Sequence, residues 1–331
     1  MAASRSRRSV IPQRGGPTVT AVAPERQAVF ARHETFAPRH GWLTKGFRAA
    51  VEDPTVFLAD DAAVRLGVGK NMVRAIRYWC HAFKLLRDEP GPGRRAMRSV
   101  PTDLGRRLLG SEGWDPYLED PGSLWLLHWY LLQAPCAATA WEFALGHFPA
   151  TEFTADEFLL GLQEFLRKEF PDADLAESSL TKDFSCFVRT YAADAEADGV
   201  AEDAIRSPFA DLGLLHAGVR PRSYQFDVGP KRMLPATLVV ACCLWYAERH
   251  AGPARTVPLA RLLRQPGSPG AAFRLTDLAL YDAIDEMAAQ ESAIGLSDAG
   301  GLVQLSFAAA PGTLAWRLVD AHYGSHSRGR R

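Results

Sequence analysis

The sequence predicts a mainly α protein with small β-wings, arranged as tandem winged helix-turn-helix-like units. Three observations favour this fold class. Long stretches have the apolar spacing of amphipathic helices, and short alternating strands joined by glycine turns follow some of them. No apolar run reaches the roughly 18 residues that a membrane-spanning helix needs, since the longest one is amphipathic and ends at Glu248.

Charge is distributed unevenly along the chain, although the net charge is zero. Residues 1–110 hold 20 Lys or Arg against 9 Asp or Glu, whereas residues 111–211 hold 5 against 20. Residues 212–331 hold 13 against 9. This segregation indicates a basic face for a polyanion, held by an acidic middle segment. In the alternative interpretation, the acidic segment only solvates its own helices.

The cysteines and the N-terminus indicate the cellular compartment. Five cysteines without framework spacing are typical of a reducing compartment, and no apolar signal core follows the basic N-terminus. We therefore expect a cytoplasmic protein without a membrane partner. Residues 1–26 are rich in Arg, Ser, Gly and Pro, which predicts a disordered basic arm.

The elements predicted after this arm follow the order of a winged helix-turn-helix. They are a helix 42–51 ended by Asp53-Pro54, a short helix capped by Asp60 and ending near Leu66, a helix from Lys70 to about Leu86, a strand 96–100 after Pro90 and Pro92, and a short helix capped by Thr102.

The rest of the chain continues the helical spacing. The acidic middle predicts four helices, within residues 121–133, 136–148, 154–170 and 177–192. For the last segment we expect helices 235–249, 257–263 and 276–290, a hairpin 293–307 with a Gly-Gly turn, and a closing helix 313–323. This segment again has the winged-helix order, although its hairpin carries no Lys or Arg.

The stretch VRLGVGKN, residues 64–71, raises the question of a nucleotide-binding P-loop. A P-loop needs a first glycine where Val64 stands and a Ser or Thr where Asn71 stands. It also follows a buried strand, whereas residues 58–65 have a helical pattern. A nucleotide loop of this type is therefore excluded.

The helix that begins at Lys70 is instead typical of one that binds DNA. Met72, Ile76, Trp79 and Phe83 fall on one face, and a cationic stripe falls on the opposite face. We predict DNA contacts from this stripe and from the following hairpin. In the alternative interpretation, the stripe is the solvated face of an ordinary core helix. The DNA-binding candidates are Lys70, Asn71, Arg74, Arg77, Arg94, Arg95 and Arg98.

A second stretch, RHETFAPRHGWLTKGF, concentrates groups capable of acid–base chemistry. A neighbouring His and Glu suit proton transfer at a phosphodiester, and cations suit its developing charge. Alternatively, Glu34 pairs with Arg39 and the histidines pack on Trp42. The catalytic candidates are His33, Glu34, Arg39, His40 and Lys45.

Three carboxylates precede the first helix of the acidic middle. Asp115, Glu119 and Asp120 lie close enough in sequence to bind a magnesium ion. Alternatively, Asp115-Pro116 forms a turn and Asp120 or Ser123 caps the helix. These residues are therefore weak candidates for a metal site.

These patterns predict five regions. They are a disordered basic arm at 1–26, a winged helix-turn-helix DNA-binding unit at 27–112, an acidic helical middle domain at 113–211, a C-terminal winged-helix-like domain at 212–324, and a basic tail at 325–331.

Three long strings resemble a bacterial family described as the domain of unknown function numbered 4007. They are FARHETFAPRHGWLTKGF, VRLGVGKNMVRAIRYWCHAF and GWDPYLEDPGSLWLLHWYLL. The resemblance is dense over residues 30–133 and mainly architectural over residues 134–323. The SspB-type components of bacterial DNA phosphorothioation systems are similar to it.

The resemblance implies a DNA-binding component of a phage-defence system that nicks double-stranded DNA, so that partner proteins insert sulfur. The implied partners are a cysteine desulfurase, an ATPase and an ATP-pyrophosphatase-like sulfur-transfer enzyme. For an endonuclease of this kind we expect a divalent metal ion, Mg²⁺. The alternative is a non-catalytic winged-helix adaptor or regulator that positions those partners, since the residues show no familiar nuclease motif.

Overall fold

The computed structural model describes residues 26–91, 97–192 and 206–328, and about half of the chain is helical. Within these ranges the helices are α1 (Trp42–Glu52), α2 (Ala62–Leu66), α3 (Lys70–Ala82), α4 (Asp103–Leu109), α5 (Pro121–Leu131), α6 (Thr139–Gly146), α7 (Ala155–Glu169), α8 (Glu177–Tyr191), α9 (Ala236–His250), α10 (Leu259–Arg264), α11 (Pro269–Phe273), α12 (Asp277–Gln290) and α13 (Pro311–Arg328).

Three small antiparallel sheets accompany the helices in the described ranges. The strands are β1 (Leu86–Pro90), β2 (Met97–Pro101), β3 (Glu152–Thr154), β4 (Leu215–Ala217), β5 (Ser223–Phe226), β6 (Thr256–Pro258), β7 (Ile294–Ala299) and β8 (Leu302–Phe307). They pair as β1-β2, β3-β5-β4 and β6-β8-β7. The predicted fold class, mainly α with small β elements, is confirmed at this level.

Several predictions fall outside the described residues. They concern residues 1–25 of the basic arm, Arg94 and Arg95 of the hairpin, and residues 329–331 of the basic tail. At the other end of the tail, α13 continues past residue 323, where the sequence predicts its end, to Arg328.

The N-terminal segment contains the predicted helices and hairpin in order, with two differences. The N-cap of α2 is Asp61 rather than the predicted Asp60, and the Asp61 side chain makes no capping hydrogen bond. The helix expected to reach about Leu86 ends at Ala82, because Lys84 adopts a left-handed φ of 60° and turns the chain into β1. β1 pairs with β2 so that Leu86 lies opposite Pro101. Thr102 caps α4 as predicted, accepting a hydrogen bond from the backbone N–H of Gly105.

The middle helices α5 to α8 agree with the predicted ones. Helix α7 begins with a capping box, in which Thr154 and Glu157 each accept from the other's backbone N–H. The sheet β3-β5-β4 was not predicted, because its strands are three or four residues long and come from distant parts of the sequence.

The C-terminal segment corrects one prediction. The helix expected from Val257 begins as strand β6, which pairs with β8, and only then becomes α10. Proline is tolerated at position 258 because β6 is an edge strand, and no strand on its outer side requires the N–H that proline lacks. The predicted Gly-Gly hairpin is present, with Gly300 and Gly301 at φ of 65° and 83°.

One cluster of buried hydrophobic side chains extends from Phe30 to Tyr323 and joins all three segments. A polar link crosses it. Nδ1 of His128 in α5 accepts from the hydroxyl of Tyr191 at 2.8 Å, and its Nε2 donates to the carbonyl of Ala272, also at 2.8 Å. Burial lowers the pKa of His128 to about 4, so this imidazole stays neutral near pH 7.

Two glycines permit close helix packing in the N-terminal unit. A Cβ at Gly46 of α1 would lie 2.5 Å from Ile76 Cγ2 and 2.7 Å from Cys80 Sγ, both on α3. A Cβ at Gly105 of α4 would lie 2.3 Å from the carbonyl oxygen of Leu85. Both positions therefore require glycine, and they fix α1 and α4 against α3 and the chain that follows it.

Among the described residues, no helix combines the length and the apolar character needed to cross a membrane.

We predict that Gly105→Ala lowers the free energy of unfolding by about 2 kcal/mol or more, because the added Cβ meets a fixed backbone oxygen. The matched control is Gly324→Ala in α13, where the new Cβ meets nothing within 4 Å. Because alanine favours the helix there, the control should leave stability unchanged or raise it. Urea unfolding of both variants measures the difference, and equal stabilities would contradict the packing argument.

Candidate nucleic-acid interface

Helix α3 has one buried face and one exposed cationic face. Gly67 ends α2 in the left-handed region, at φ of 61°, and Gly69 is the N-cap of α3. Ile76, Trp79 and Phe83 are buried in the core, whereas the other face points outward. The exposed candidates on that face are Lys70, Asn71 and Arg74.

Arg77 lies on the same helix but is engaged within the protein. Its guanidinium donates to both carboxylate oxygens of Asp88 on β1, at 2.9 and 2.8 Å. Its Nε lies 3.5 Å from the hydroxyl of Ser99 on β2, which is buried. Arg77 therefore ties α3 to the hairpin, and its side chain is only about one-third exposed.

His81 completes this cluster one turn further along α3. Its Nε2 lies 3.0 Å from the Ser99 hydroxyl and 3.5 Å from Asp88. Burial lowers the pKa of His81 to about 4, an effect that Asp88 opposes and that Arg77 and Lys84 reinforce. The imidazole in this cluster of Arg77, His81, Asp88 and Ser99 is therefore neutral. The hydrogen bonds of the cluster hold α3 against the β1–β2 hairpin.

On the hairpin, Arg98 is the DNA-binding candidate that the structure describes, since Arg94 and Arg95 lie outside the described residues. Its guanidinium lies 3.6 Å from Glu89 on the paired strand, and its side chain is 39% exposed. An exposed pair of this kind is weak, so Arg98 can exchange Glu89 for a phosphate.

The catalytic candidate His33 is fully buried. Its Nδ1 accepts the backbone N–H of Thr35 at 3.1 Å, so the ring proton lies on Nε2, which contacts Asp183 Oδ1 at 2.9 Å. The ring stacks on Trp79, with centroids 6.2 Å apart. Both nitrogens are thus used inside the protein, and neither faces a phosphodiester in this arrangement.

The other catalytic candidates lie nearer the surface. Glu34 is half-buried and its Oε1 lies 3.6 Å from Arg74 of α3. The guanidinium of Arg39 stacks over the rings of Phe36 and Trp42. His40 and Lys45 are exposed.

Lys45 lies close to the turn that precedes α3. Its Nζ donates to the carbonyl of Leu66 at 3.0 Å, beside Gly67. Together with Arg48 and Arg65 it lines a pocket of about 430 Å³, in which the Arg48 guanidinium lies 4.8 Å from the exposed ring of Tyr117. No sequence spacing indicates this pocket, because its residues come from three separate segments.

The carboxylates proposed for a metal have other roles. Asp115 is buried and accepts from the backbone N–H groups of Glu119 and Asp120, at 3.0 and 2.9 Å, and from the hydroxyl of Ser123, at 2.7 Å. Asp120 caps α5, as the alternative interpretation holds. This donor set does not fit a magnesium ion, because Asp115 already accepts three hydrogen bonds and Asp120 is used as the cap of α5.

More generally, no group of three or more His, Cys, Asp or Glu in the described ranges is placed to hold a metal ion.

The fold and this surface define a mainly α protein that presents an exposed cationic edge on a helix following a glycine turn. The family model of a protein of unknown function, DUF4007, matches residues 30–323, so the chain belongs to that family. The predicted resemblance is thereby confirmed.

Two solved structures of SspB are similar to this chain, each at 40% sequence identity. One is a magnesium ion-bound SspB crystal structure with a TM-score of 0.85, and the other is an SspB crystal structure with a TM-score of 0.84. Each comparison covers 90% of this chain and 88% of the other. A search of curated proteins finds no match.

We predict that His81 makes stability fall as the pH drops from about 6.5 to about 4. Its pKa is about 4 when folded and ordinarily 6.5, so in this window the unfolded chain binds a proton that the folded chain excludes. The loss should reach about 2 kcal/mol, allowing for partial exposure of the ring. Urea unfolding at pH 7 and pH 4.5 measures it.

The comparison variant is His81→Gln, which keeps a hydrogen-bonding group near Ser99 and removes the titration. It should lose less stability between these two pH values than the unaltered protein. The same loss in both proteins would show that other groups carry the pH dependence.

Proposed function

We propose that this protein is the DNA-binding component of a DNA phosphorothioation system. Its membership of the DUF4007 family and its likeness to SspB over nine-tenths of the chain support this function. The partners in the proposal are double-stranded DNA, a cysteine desulfurase, an ATPase and an ATP-pyrophosphatase-like enzyme. A cytoplasmic location belongs to the same proposal.

The exposed edge of α3 is the observation that carries the proposal. Helix α2, the Gly67–Gly69 turn and α3 would form a helix-turn-helix, and the β1–β2 hairpin would form its wing. Lys70 and Arg74 would contact phosphates, and Asn71 would contact a phosphate or a base edge. The open N-terminus of α3 favours a phosphate at the same place.

The pocket lined by Lys45, Arg48 and Arg65 would extend this surface along the DNA backbone. Lys45 contacts Leu66 at the end of α2, so the pocket lies directly beside the turn that precedes α3. Arg65 is paired with Asp53 at 2.7 Å, so Lys45 and Arg48 are the cations that would give sequence-independent affinity through the phosphates. The aromatic ring of Tyr117 would stack on an unpaired base, should one be present.

The remaining units keep their proposed boundaries. Residues 27–112 would form the DNA-binding winged helix-turn-helix unit, residues 113–211 the acidic helical domain, and residues 212–324 a second winged-helix-like domain. All three share one hydrophobic core, which would hold them in a fixed arrangement on the DNA.

We also propose that the protein nicks DNA, with Glu34 as the group that accepts a proton from the attacking water. The contact between Glu34 and Arg74 supports this role, since it places a carboxylate at the edge of the proposed DNA face. Water would attack phosphorus in line, the P–O bond to the leaving oxygen would break, and His40 would return a proton. Arg39 and Lys45 would offset the developing charge.

Magnesium is the ion we propose for this reaction. The similar SspB crystal structure with a bound magnesium ion supports the proposal. Mg²⁺ commonly uses one or two carboxylates together with substrate phosphates and water. The carboxylates at 115–120 do not fit this role, for the reason given above. We therefore assign no ligand among them.

The burial of His33 favours a second candidate function, a non-catalytic adaptor. If His33 serves only the fold, the proposed DNA face lacks one of the two bases that the neighbouring His33 and Glu34 would supply. The acidic middle segment, residues 111–211, would then dock the sulfur-insertion enzymes while the N-terminal unit holds the DNA.

We predict that the double variant Lys70→Ala, Arg74→Ala weakens binding to duplex DNA in all sequences tested. Each lost phosphate contact should lower the slope of log affinity against log salt by about one unit. Arg106→Ala is the matched control, since Arg106 is equally basic and exposed and pairs with Asp103 on its own helix. Fluorescence anisotropy across a salt series measures affinity and slope.

An unchanged slope in the double variant would overturn the assignment of α3 as the DNA-binding helix. Arg77→Ala would not isolate a DNA contact, because losing its hydrogen bonds to Asp88 would also release the β1–β2 hairpin.

We predict that the purified protein converts supercoiled plasmid to open circles with magnesium or manganese, and not with a chelator. Glu34→Gln should abolish conversion while duplex affinity stays equal or rises, because Arg74 loses its intramolecular partner. His33→Asn should lower thermal stability and leave the folded fraction active. Gel electrophoresis of the plasmid with a parallel binding assay checks each variant.

Tight duplex binding without conversion under any ion would support the adaptor instead. Co-purification with the three partner enzymes would then be the measurement that identifies the docking surface.

A further inference from the structure

A cavity of about 860 Å³ lies away from the exposed edge of α3 that carries Lys70 and Arg74. It forms where the end of α3, strand β1, the connection between α5 and α6, and the end of α9 meet. Small-molecule sites in proteins commonly enclose about 300–1,000 Å³. Its apolar lining comes from Leu86, Leu132, Pro135, Leu145 and Ala272.

Two cations in this cavity contact only neutral groups. Lys84 donates from Nζ to the carbonyls of Ala82 and Pro135, at 3.1 and 2.8 Å. The guanidinium of Arg249 lies 5.7 Å from the ring of Trp129. In the described part of the chain, neither side chain forms an ion pair, and burial lowers the pKa of both. An anion in the cavity would therefore relieve two desolvated positive charges.

The acidic groups of the cavity do not offset these cations, because each already has a partner. Asp88 accepts two hydrogen bonds from Arg77, and Glu142 is paired with Arg26. The lining thus combines an apolar floor with a surplus of positive charge. Imidazole and amide groups capable of hydrogen bonding lie beside it, from His81 and Gln133.

We propose that this cavity binds a nucleotide, with the base against the apolar floor and the phosphate at Lys84 and Arg249. A phosphate is the anion that convergent Lys and Arg side chains recognise, and a flat base fits a dry floor edged by a few polar groups. The amide of Gln133 donates from Nε2 to the Trp129 carbonyl at 3.0 Å, and its oxygen would accept a donor from a base that a fatty anion does not have.

Two sources would supply the same ligand chemistry. One is a free nucleotide, and the other is a single nucleotide of a DNA strand. The second source is within reach because Lys84 and Leu86 connect the proposed DNA-binding helix α3 to its hairpin. The inference goes beyond the proposed function, and the site does not depend on the exposed face of α3.

Isothermal titration of the full chain with deoxyadenosine monophosphate tests the site, with inorganic phosphate as the comparison ligand. Arg249→Gln removes one cation, and Gly146→Leu fills the cavity, since a Cβ at Gly146 first meets Pro266 at 3.6 Å. Each variant should raise the dissociation constant about tenfold or more. Arg255→Gln, an exposed arginine outside the cavity, is the matched control and should leave it unchanged.

A short single-stranded oligonucleotide distinguishes the two sources. If it competes with deoxyadenosine monophosphate, the ligand is a nucleotide of a DNA strand; if it does not compete, the ligand is a free nucleotide. Absence of nucleotide binding, or equal affinity for inorganic phosphate, would overturn the proposal. So would binding that both folded variants retain, with folding checked by circular dichroism.

Duplex binding is measured in parallel on the same variants. Neither Arg249 nor Gly146 belongs to α2, α3 or the β1–β2 hairpin, so loss of nucleotide binding with duplex binding intact in these variants separates the cavity from the proposed DNA face. Loss of duplex binding in the Lys70 and Arg74 variant alone would concern the proposed function and leave the cavity untouched.

Discussion

The buried carboxylate of Asp183 is the constraint on which the N-terminal unit depends. It is 1% exposed and accepts the backbone N–H of Ala31 at 2.7 Å and the ring N–H of His33 at 2.9 Å. A carboxylate in such a place is tolerated only when its oxygens find donors. The segment that supplies them also receives the indole N–H of Trp79 at the carbonyl of Phe36. Through this segment, Asp183 fixes the orientation of α3.

Local patterns predicted most of the helical elements, because capping and apolar spacing act within a few residues. The hydroxyl cap at Thr102, the capping box at Thr154 and the glycine hairpin at 300–301 are examples. The short strands β3 to β6 escaped prediction, since each is stabilised by partners distant in sequence. The end of α3 was misplaced because the left-handed Lys84 has no sequence signal; left-handed positions usually favour glycine.

The candidate site shows the same division. Helical periodicity alone predicted the exposed edge of α3. It could not predict the surroundings of His33 and Arg77, because their partners lie on other segments of the chain. Asp183 lies 150 residues from His33. The charge segregation is likewise used partly inside the protein, since Arg26 pairs with Glu142 and Glu169 of the acidic middle. An adjacent His and Glu thus resembled catalytic groups, although the imidazole is an internal support.

The close approach at Gly46 has a consequence for local unfolding. Because Gly46 places the backbone of α1 directly against the side chains of Ile76 and Cys80 on α3, the two helices cannot separate without exposing those side chains to water. The two helices should therefore open as a single cooperative unit, with amide hydrogens that exchange together. A surface carried by such a unit does not adapt its shape to each ligand. In the proposed DNA-binding role, the duplex rather than the protein would deform to bring its phosphates into place.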